Sequence, residues 1–391
     1  MARLYFAVLA QSALGTGAGY VALLLVAYDR FSSGWAISLV LLADLVPAMF
    51  LGPLFGAAGD HWSRRLCMVV ADTVRAAAFL GIALTDSFPA TLAFAVVAGS
   101  GTALFKPASL AALPSLARPE RLPAATALYG AITDLGFIAG PAIAALVLLV
   151  GAPESVLFAN AATFAISALV VATLPFGQAP AHSAGEARPG LFREARDGLR
   201  ALAGMAGVRV VVLAAATMLL FAGLFNVAEL PFATDELDAA ASAFAVLATV
   251  YGLGFVMGSL SGSRGGEPDV LKRRFLGGLG LVGAGFLACG IAPSLAAALP
   301  AFALAGIGNG LALVHERLLI QTTVADSLMA RVFGARDGLN AWTFAIAFVA
   351  AGGLIEALGI RTVVQIAGVG GLLVWALSTV ALRRPWATER V

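Results

Sequence analysis

The stretch "GPLFGAAGDHWSRRLCMVV" (Gly52–Val70) places a short polar turn between two long apolar runs. The turn carries an acid and several basic groups at Asp60, His61, Arg64 and Arg65. The apolar run on each side is long enough to cross a hydrocarbon core of about 30 Å. The stretch therefore predicts a loop that joins two membrane-spanning helices.

The composition extends this interpretation to the whole chain. Of the 391 residues, 60% are hydrophobic and only 12% are charged, whereas soluble proteins are roughly a quarter charged. The strands of a transmembrane barrel would alternate over about 10 residues, and this pattern does not occur. The net charge of +2 is too small to indicate a nucleic-acid partner. The two cysteines, Cys67 and Cys289, lie in separate apolar runs and give neither a disulfide framework nor a metal site.

Apolar runs between polar or Gly/Pro breaks predict an all-α polytopic membrane protein with twelve transmembrane helices. The first run is too long for the core of a secretory signal, so we count it as a helix. The predicted spans are 3–27, 35–57, 66–84, 89–113, 122–150, 155–176, 207–231, 241–262, 275–292, 296–320, 332–358 and 362–382.

The distribution of basic residues predicts the orientation. With the N-terminus inside, 19 of the 24 Lys and Arg residues fall in cytoplasmic segments, and only Arg30 and Arg361 fall on the outer side. The other three, Arg75, Lys106 and Arg317, lie within spans. This asymmetry obeys the positive-inside rule and places both termini in the cytoplasm. The excess of arginine over lysine suggests a GC-rich bacterial genome, so we expect a bacterial cytoplasmic membrane.

The longest polar stretch divides the chain into two sets of six spans. We predict an N-terminal six-helix bundle over 1–176, a cytoplasmic linker over 177–206 and a C-terminal bundle over 207–391. Duplicated halves are a common transporter plan, with the substrate site between them near the membrane midplane. The linker is expected to end in a short amphipathic surface helix with one apolar face, formed by Leu191, Phe192, Ala195 and Leu199.

The opening stretch also resembles a known family signature. "GAAGDHWSRR" is similar to the loop 2–3 motif of the major facilitator superfamily, G-x-x-x-D-R-x-G-R-R/K, with Gly56, Asp60, Arg64 and Arg65 at the matching positions. His61 stands in place of a basic residue of the motif. The resemblance implies the major facilitator fold, two pseudo-symmetric six-helix bundles that work by alternating access.

The same resemblance implies a conformational latch. In the family, the acid of this loop meets the start of span 11 and holds the two halves in the outward-facing state. Here Asp60 is expected to cap or pair near Val332–Gly334, with help from Arg331. The alternative is an ordinary basic turn with no such partner.

Further segments resemble the branch of macrolide and siderophore exporters. They are "FKPASLAALPSLARPERLPAATAL" (Phe105–Leu128), "QTTVADSLMARVFG" (Gln321–Gly334) and "GFIAGPAIAA" (Gly136–Ala145). The last is similar to the span 5 antiporter motif, with its helix-bending and close-packing residues at Gly136, Gly140 and Pro141. The second copy of the loop signature is degenerate, since Gly266 replaces its acid, and the span 4 arginine of many proton-coupled exporters is missing.

Two acids inside spans are the leading candidates for proton coupling. Asp44 lies near the middle of span 2 and Asp134 near the middle of span 5. A charge at this depth costs about 2.5–3.5 kcal/mol on insertion scales, so it normally faces a cavity or a partner. The alternative is a static salt bridge with Lys106 or Arg75. Arg75 is otherwise expected to pair with Asp72, three residues before it, or with lipid headgroups.

Other polar residues in the spans are candidates for lining the substrate cavity, and each could equally form an interhelical hydrogen bond. They are Gln11, Lys106, Asn226, Glu229, Asn309 and Asn340. The glycines spaced by four in span 8 (Gly254, Gly258, Gly262) and the "GIGNG" run of span 10 are interpreted as helix packing. "HERLL" (His315–Leu319) lacks the second histidine of a zinc motif, so we expect no metal.

The sequence thus predicts a secondary transporter that exports an amphipathic small molecule, a drug, macrolide or siderophore, by proton antiport. It has no nucleotide-binding loop, so we expect no cofactor and a proton gradient as the energy source. The expected partners are a small-molecule substrate and membrane lipids, with the protein acting as a monomer. The alternatives are an importer or lipid transporter of the same fold, a membrane sensor that does not transport, and a lipid-handling membrane enzyme.

Overall fold

The computed structural model describes residues 1–58, 62–174, 176, 199–384 and 386. In these ranges, twelve helices are long and apolar enough to cross a membrane, which confirms the predicted fold class. They are α1 Ala2–Phe31, α2 Gly34–Ala58, α3 Arg64–Leu84, α4 Phe88–Leu116, α5 Leu122–Leu148, α6 Pro153–Thr173, α7 Ala206–Pro231, α8 Ala241–Leu260, α9 Pro268–Ile291, α10 Leu295–Thr323, α11 Asp326–Leu358 and α12 Ile360–Ala381. Three short helical turns, Pro119–Arg121, Phe232–Glu236 and Ser261–Arg264, extend the ends of neighbouring helices.

Two helices begin well before the residues that apolar runs alone predicted. α9 begins at Pro268 instead of 275, and α11 begins at Asp326 instead of 332. Proline is favoured in the first turn of a helix and acids there interact well with the helix dipole, so Pro268 and Asp269 start α9 early. The basic residues after them, including Lys272, therefore belong to a helix and not to a loop.

The ends of the helices follow local chain chemistry. Ser32 adopts a left-handed conformation (φ 45°) after α1, and its N–H donates to the Tyr28 carbonyl at 2.7 Å. Gly359 has φ 83° between α11 and α12, a conformation that side chains with a Cβ rarely adopt. α4, α5 and α6 each have a proline in the first turn, where its missing N–H is not needed.

The chain divides into two compact units, Met1–Ala187 and Arg188–Val391, called here the N-terminal and the C-terminal unit. In the N-terminal unit α1 packs on α5 and α6, α2 on α4, and α3 on α4 and α6. In the C-terminal unit α7 packs on α11 and α12, α8 on α10, and α9 on α10 and α12. Adding six to each helix number of the first set gives the second set, as expected of duplicated six-helix bundles.

Glycines allow the closest of these contacts. In the N-terminal unit the carbonyl of Gly136 fills the space that a Cβ on Gly17 would take, and Gly140 meets the backbone of Gly17 in the same way. The span 5 motif therefore packs α5 against α1, and Pro141 is buried within it. Small residues spaced by four let helix backbones approach this closely.

α10 is enclosed between two neighbours in the C-terminal unit. A Cβ on Gly306 would collide with the Tyr251 carbonyl of α8, while Gly308 lies against Val282 of α9. Gly254 of α8 meets the Ala303 carbonyl of α10 in return. The glycines of span 8 and of the "GIGNG" run thus serve helix packing, as the sequence predicted.

Arg30 and Arg361, the two arginines that the sequence predicts on the outer side, each bind the end of a helix. Arg30 of α1 donates to the carbonyls of Ile82 at 3.0 Å and Ala83 at 3.2 Å, and it pairs with Glu154 of α6 at 2.9 Å. Unpaired carbonyls at a helix C-terminus carry partial negative charge, which a guanidinium neutralises well. Arg30 therefore joins α1, α3 and α6 at one end of the N-terminal unit.

Arg361 forms the corresponding junction in the C-terminal unit, where the arginine and the acid have exchanged helices. It donates to the carbonyls of Gly290 at 3.3 Å and Ala292 at 3.0 Å, at the end of α9, and pairs with Glu236 at 2.9 Å. The arginine is on α12 and the acid follows α7, whereas in the first unit the arginine is on α1 and the acid on α6. Arg30 and Arg361 thus each have a structural role at the end of a helix.

Candidate functional site

The loop 2–3 signature lies mostly outside the described residues. Asp60 falls in the gap at 59–61, and Gly56 belongs to the last turns of α2. Arg64 and Arg65 are the first two residues of α3 instead of loop residues. The latch predicted for Asp60 therefore stays a prediction.

The expected meeting point for Asp60 needs a correction. Because α11 begins at Asp326, Val332–Gly334 lie in its second and third turns, where backbone N–H groups already bond within the helix. Val332 is buried and Arg331 is exposed. A capping contact to the start of this helix would have to use residues nearer Asp326.

A buried ion pair occupies the centre of the N-terminal unit. Arg75 and Asp72 of α3 bind each other, and both are almost fully buried. The Arg75 guanidinium also lies over the rings of Phe105 of α4 and Phe164 of α6, at 4.4 and 4.2 Å from their centroids. Such cation–π contacts stabilise a desolvated guanidinium. Of the two predicted partners for Arg75, the structure selects Asp72 and not the headgroups.

Asp44 of α2 lies beside this pair without joining it. Its carboxyl is partly buried and interacts electrostatically with Arg75, but it forms no ion pair with any described residue. The static salt bridge that was the alternative for Asp44 is therefore not formed here. Two acids, Asp44 and Asp72, share one arginine, which leaves one carboxylate without a dedicated counter-ion.

The second coupling candidate is differently placed. Asp134 of α5 and Lys106 of α4 are both exposed in the N-terminal unit. Among the residues that the structure describes, neither forms an ion pair. The Asp134–Lys106 salt bridge considered from the sequence is thus absent from this part of the chain.

A buried hydroxyl contact close to Arg75 was missed by sequence reasoning. The Tyr5 hydroxyl of α1 and the Ser109 hydroxyl of α4 are 2.7 Å apart, and both side chains are buried. Tyr129 of α5 packs in the same apolar cluster as Tyr5. The sequence does not predict this contact, because Tyr5, Ser109 and Tyr129 are far apart in the chain and meet only through the packing of α1, α4 and α5.

The polar residues proposed for the substrate cavity divide into two kinds. Gln11 donates to the Thr163 carbonyl of α6 at 2.8 Å, and Asn309 donates to the Tyr251 hydroxyl of α8 at 2.8 Å. For both, the interhelical hydrogen bond is the role that the structure supports. Asn226 is partly buried, and the side-chain carbonyl of Asn340 is buried with no partner among the described residues.

Glu229 is the acid of the C-terminal unit that resembles Asp44. It is partly buried in α7, within the span Ala206–Glu236, and forms no ion pair with any described residue. Asn226 precedes it by three residues and therefore lies on the same helix face. The Glu229 carboxyl interacts electrostatically with the Tyr251 hydroxyl, so it neighbours the Tyr251–Asn309 pair.

The strongest ion pair of the C-terminal unit was also missed. Glu316 of α10 binds Arg336 of α11 through two hydrogen bonds of 2.7 and 2.6 Å, with both side chains buried. Asp337 adds an exposed partner at 2.8 Å. Counting basic residues by segment carries no information on their burial, so this pair could not be inferred from the sequence. Next to it, His315 is buried, with Nδ1 2.7 Å from the Leu311 carbonyl.

No cofactor or metal site emerges from this part of the chain. Within the described ranges, no group of three or more His, Cys, Asp or Glu side chains could hold a metal ion. Cys67 and Cys289 are both buried and unpaired.

Similar solved structures share this fold. The nucleoside transporter NupG has a TM-score of 0.77 at 15% identity, covering 98% of this chain and 99% of that one. A bacterial homologue of the human lysosomal transporter Spinster, in an inward-facing occupied conformation, has a TM-score of 0.74 at 14% identity, covering 97% and 98%. At these identities the likeness concerns the fold alone.

Sequence relatives extend along nearly the whole chain. The multidrug efflux pump Tap of Mycobacterium tuberculosis (strain ATCC 25618 / H37Rv) is 27% identical over 370 residues, which is 90% of this chain and 86% of Tap. The MFS-type transporter YfiS of Bacillus subtilis (strain 168) is 24% identical, covering 91% and 87%. Residues 4–335 match the sequence profile of the Major Facilitator Superfamily. The chain belongs to this superfamily of membrane transporters.

Proposed function

We propose that this transporter exports amphipathic small molecules from a bacterial cytoplasm in exchange for protons. Its similarity to a protein named as a multidrug efflux pump supports the direction of transport. We expect the protein to act as a monomer by alternating access, with both termini in the cytoplasm. The predicted latch of Gly56, Asp60, Arg64 and Arg65 would close the cytoplasmic side in the outward-facing state.

The observation that carries the proposal is the carboxylate of Asp44. An unpaired charge at membrane depth is costly, and binding a proton removes that cost. Arg75 lies near Asp44 but is bonded to Asp72 and enclosed by two aromatic rings, so it only partly offsets the charge. Proton binding and release at Asp44 would change the net charge of this three-residue group, and such a change can favour one conformation of the transporter over the other.

Asp134 is the second coupling candidate of the N-terminal unit. Its exposure on α5 suits exchange with water or with a substrate more than a static structural role. Lys106 on α4 is exposed as well and is a candidate contact for an anionic group of the substrate. Asn226 and Asn340, whose polar groups have no recorded partners among the described residues, remain candidates for substrate contacts.

Everted membrane vesicles test both the direction and the energy source. An imposed pH gradient, acidic inside, should drive uptake of the amphipathic cation ethidium into vesicles that contain the protein. Asp44→Asn should reduce this uptake to the level of vesicles without the protein. Asp86→Asn is the matched control, because Asp86, two residues past α3, is 96% exposed and its 3.6 Å contact with Arg30 is a solvent-exposed one, so it should transport like the wild type.

Three results would contradict the proposal. The first is uptake that ignores the pH gradient. The second is accumulation in right-side-out vesicles only, which would identify an importer. The third is normal uptake by Asp44→Asn, which would refute the role of that carboxyl in coupling. A panel of neutral, cationic and anionic amphipathic probes in the same vesicles would define the substrate class.

A further inference from the structure

The C-terminal unit contains a membrane-embedded carboxyl without a counter-ion. Glu229 lies seven residues before Glu236, so about 10 Å of helix separates it from the Arg361–Glu236 junction at the end of the span. No cationic side chain of the described residues lies close enough to act on Glu229. The cost of a charge at this depth is therefore not offset by an ion pair.

Glu229 lies on the helix surface between a buried apolar edge and a partly buried polar one. Phe225 and Phe232, four residues before it and three after it, flank it on one side and are fully buried, and Phe225 stacks on Phe286 of α9 with ring centroids 4.2 Å apart. Asn226 flanks it on the other side, and both Glu229 and Asn226 are partly buried. The acid therefore does not fill a hole in the core but lies at its border.

Tyr251 and Asn309 form a fixed polar pair whose hydroxyl interacts electrostatically with the Glu229 carboxyl. The Tyr251 hydroxyl accepts a hydrogen bond from the Asn309 amide at 2.8 Å, so its own O–H proton remains to be donated. The Gly306–Tyr251 close packing of α10 on α8 fixes the position of the tyrosine backbone. A hydroxyl that accepts from an amide and keeps its own proton to donate is a polar group that can favour a carboxylate in its surroundings.

The end of α7 departs from regular α-helix just beyond Glu229. A turn of π-helix covers Phe232–Glu236, and the Phe232 N–H is shared between the carbonyls of Ala228 and Glu229. Single π turns interrupt helices mostly at functional sites, because they loosen the backbone hydrogen bonds locally. This irregular turn lies between Glu229 and the nearer end of the span.

The other titratable and charged side chains on helices packed against α7 are neutral, exposed or bonded to groups other than Glu229. Cys289 of α9 is a buried neutral thiol that interacts electrostatically with Glu229. On α12, Arg361 is engaged by Glu236, and Gln365 donates to the Gly290 carbonyl at 3.0 Å. On α11, Glu356 is exposed in the last turn, whereas Arg336 and Asp337 near the first turns are bonded in the Glu316 network.

From these observations we propose that Glu229, with Tyr251 and Asn309, forms a second proton-binding site, in the C-terminal unit. The carboxylate takes up one proton to become a neutral acid and gives the same proton back, with no other bond made or broken. The site rests on the proposed proton-coupled export and adds to it a coupling group outside the N-terminal unit. Each unit would then carry its own unpaired acid, Asp44 on its second helix and Glu229 on its first.

Purified protein in liposomes tests the site through two transport measurements. Glu229→Gln should lose the accumulation of ethidium driven by a pH gradient, down to the level of protein-free liposomes. It should keep exchange of ethidium across the membrane at equal pH, because exchange needs no net proton movement. Glu229→Asp should restore accumulation in part, since it keeps a carboxyl at nearly the same place.

A spectroscopic measurement tests the same carboxyl without any substrate. The infrared C=O band of a protonated carboxylic acid should appear as the pH is lowered, and Glu229→Gln should remove one component of it. Asp238→Asn is the matched control, because Asp238 is an exposed acid nine residues further along the chain and beyond the π turn. It should leave both the transport and this component unchanged.

The outcomes separate this inference from the proposed function. Normal accumulation by Glu229→Gln, or an unchanged infrared band, would overturn the second site while leaving export intact. Loss of exchange together with accumulation would also overturn it, because the residue would then be needed for binding or folding. A wild-type protein that exchanges ethidium but never accumulates it would contradict proton-coupled export, and the infrared band would still decide whether Glu229 binds a proton.

Discussion

Replacing Glu316 by glutamine should destabilise the protein strongly. The substitution keeps the shape of the side chain but removes the negative charge that faces Arg336, and both residues are buried. Breaking a buried ion pair by removing one partner costs about 3–5 kcal/mol, since the remaining charge loses its buried counter-ion. Arg336 would keep only the exposed Asp337, which compensates its charge weakly. At about 1.4 kcal/mol for each factor of ten, the unfolding equilibrium would shift by roughly two to four orders of magnitude.

The chain offers an internal control for this prediction. Asp337 binds the same arginine at 2.8 Å, but its side chain is 69% exposed. Exposed ion pairs contribute about 0–1 kcal/mol, so Asp337→Asn should change stability little. The two variants remove a carboxylate from one guanidinium and differ mainly in burial. Equilibrium unfolding in mixed SDS and detergent micelles, followed by helical circular dichroism, measures both.

A double variant separates the charge effect from a specific need for the pair. Replacing both buried residues by apolar ones, Glu316→Leu with Arg336→Met, should recover most of the lost stability. Hydrophobic replacement of a whole buried pair is often neutral or stabilising. Equal stability losses for Glu316→Gln and Asp337→Asn would refute the reasoning from burial. A double variant as unstable as Glu316→Gln alone would refute the explanation by an uncompensated charge.

Two further predictions concern the helix junctions and the glycine contacts. Arg361→Ala and Arg30→Ala should each lower stability by about 2 kcal/mol, because each loses an ion pair and hydrogen bonds to helix-end carbonyls; the exposed Arg317→Ala should not. Thermal unfolding in detergent measures this, and equal midpoints for all three variants would contradict the junction. Gly306→Ala should destabilise by about 1–3 kcal/mol through collision with α8, whereas Gly334→Ala, with open space around it, should stabilise by about 0.5–1 kcal/mol. If Gly306→Ala and Gly334→Ala changed the free energy of unfolding in the same direction, close packing would not be what decides the effect.

The sequence predicted the positions of the helices better than the contacts between their side chains. Hydropathy defined all twelve spans, because an apolar run must be helical to satisfy its backbone in a membrane. It placed the starts of α9 and α11 too late, since polar first turns such as Asp269–Lys272 look like loop residues. Charge counting predicts the side of the membrane and not the burial of a side chain, so it could not predict the buried pair of Arg336 with Glu316.

Sequence reasoning selected polar residues of the spans as candidates, but it could not predict which residues they contact. Asp44, Glu229 and Asn309 were selected because polar groups at membrane depth are costly, a rule that needs no structure. Which of them has a partner depends on how one helix is rotated against the next. That rotation joins Asn309 to Tyr251 and leaves Asp44 beside a pair it does not enter.

Whether protons moving inward drive the substrate outward can be measured by recording both fluxes in the same liposomes. With purified protein of known orientation, an opposing ethidium gradient can be raised until the proton flux stops. Proton-coupled export predicts a balance point that moves with the imposed pH gradient, and proton uptake on one side that matches ethidium release on the other. Ethidium movement that equilibrates without regard to the pH gradient, with no accompanying proton flux, would contradict it.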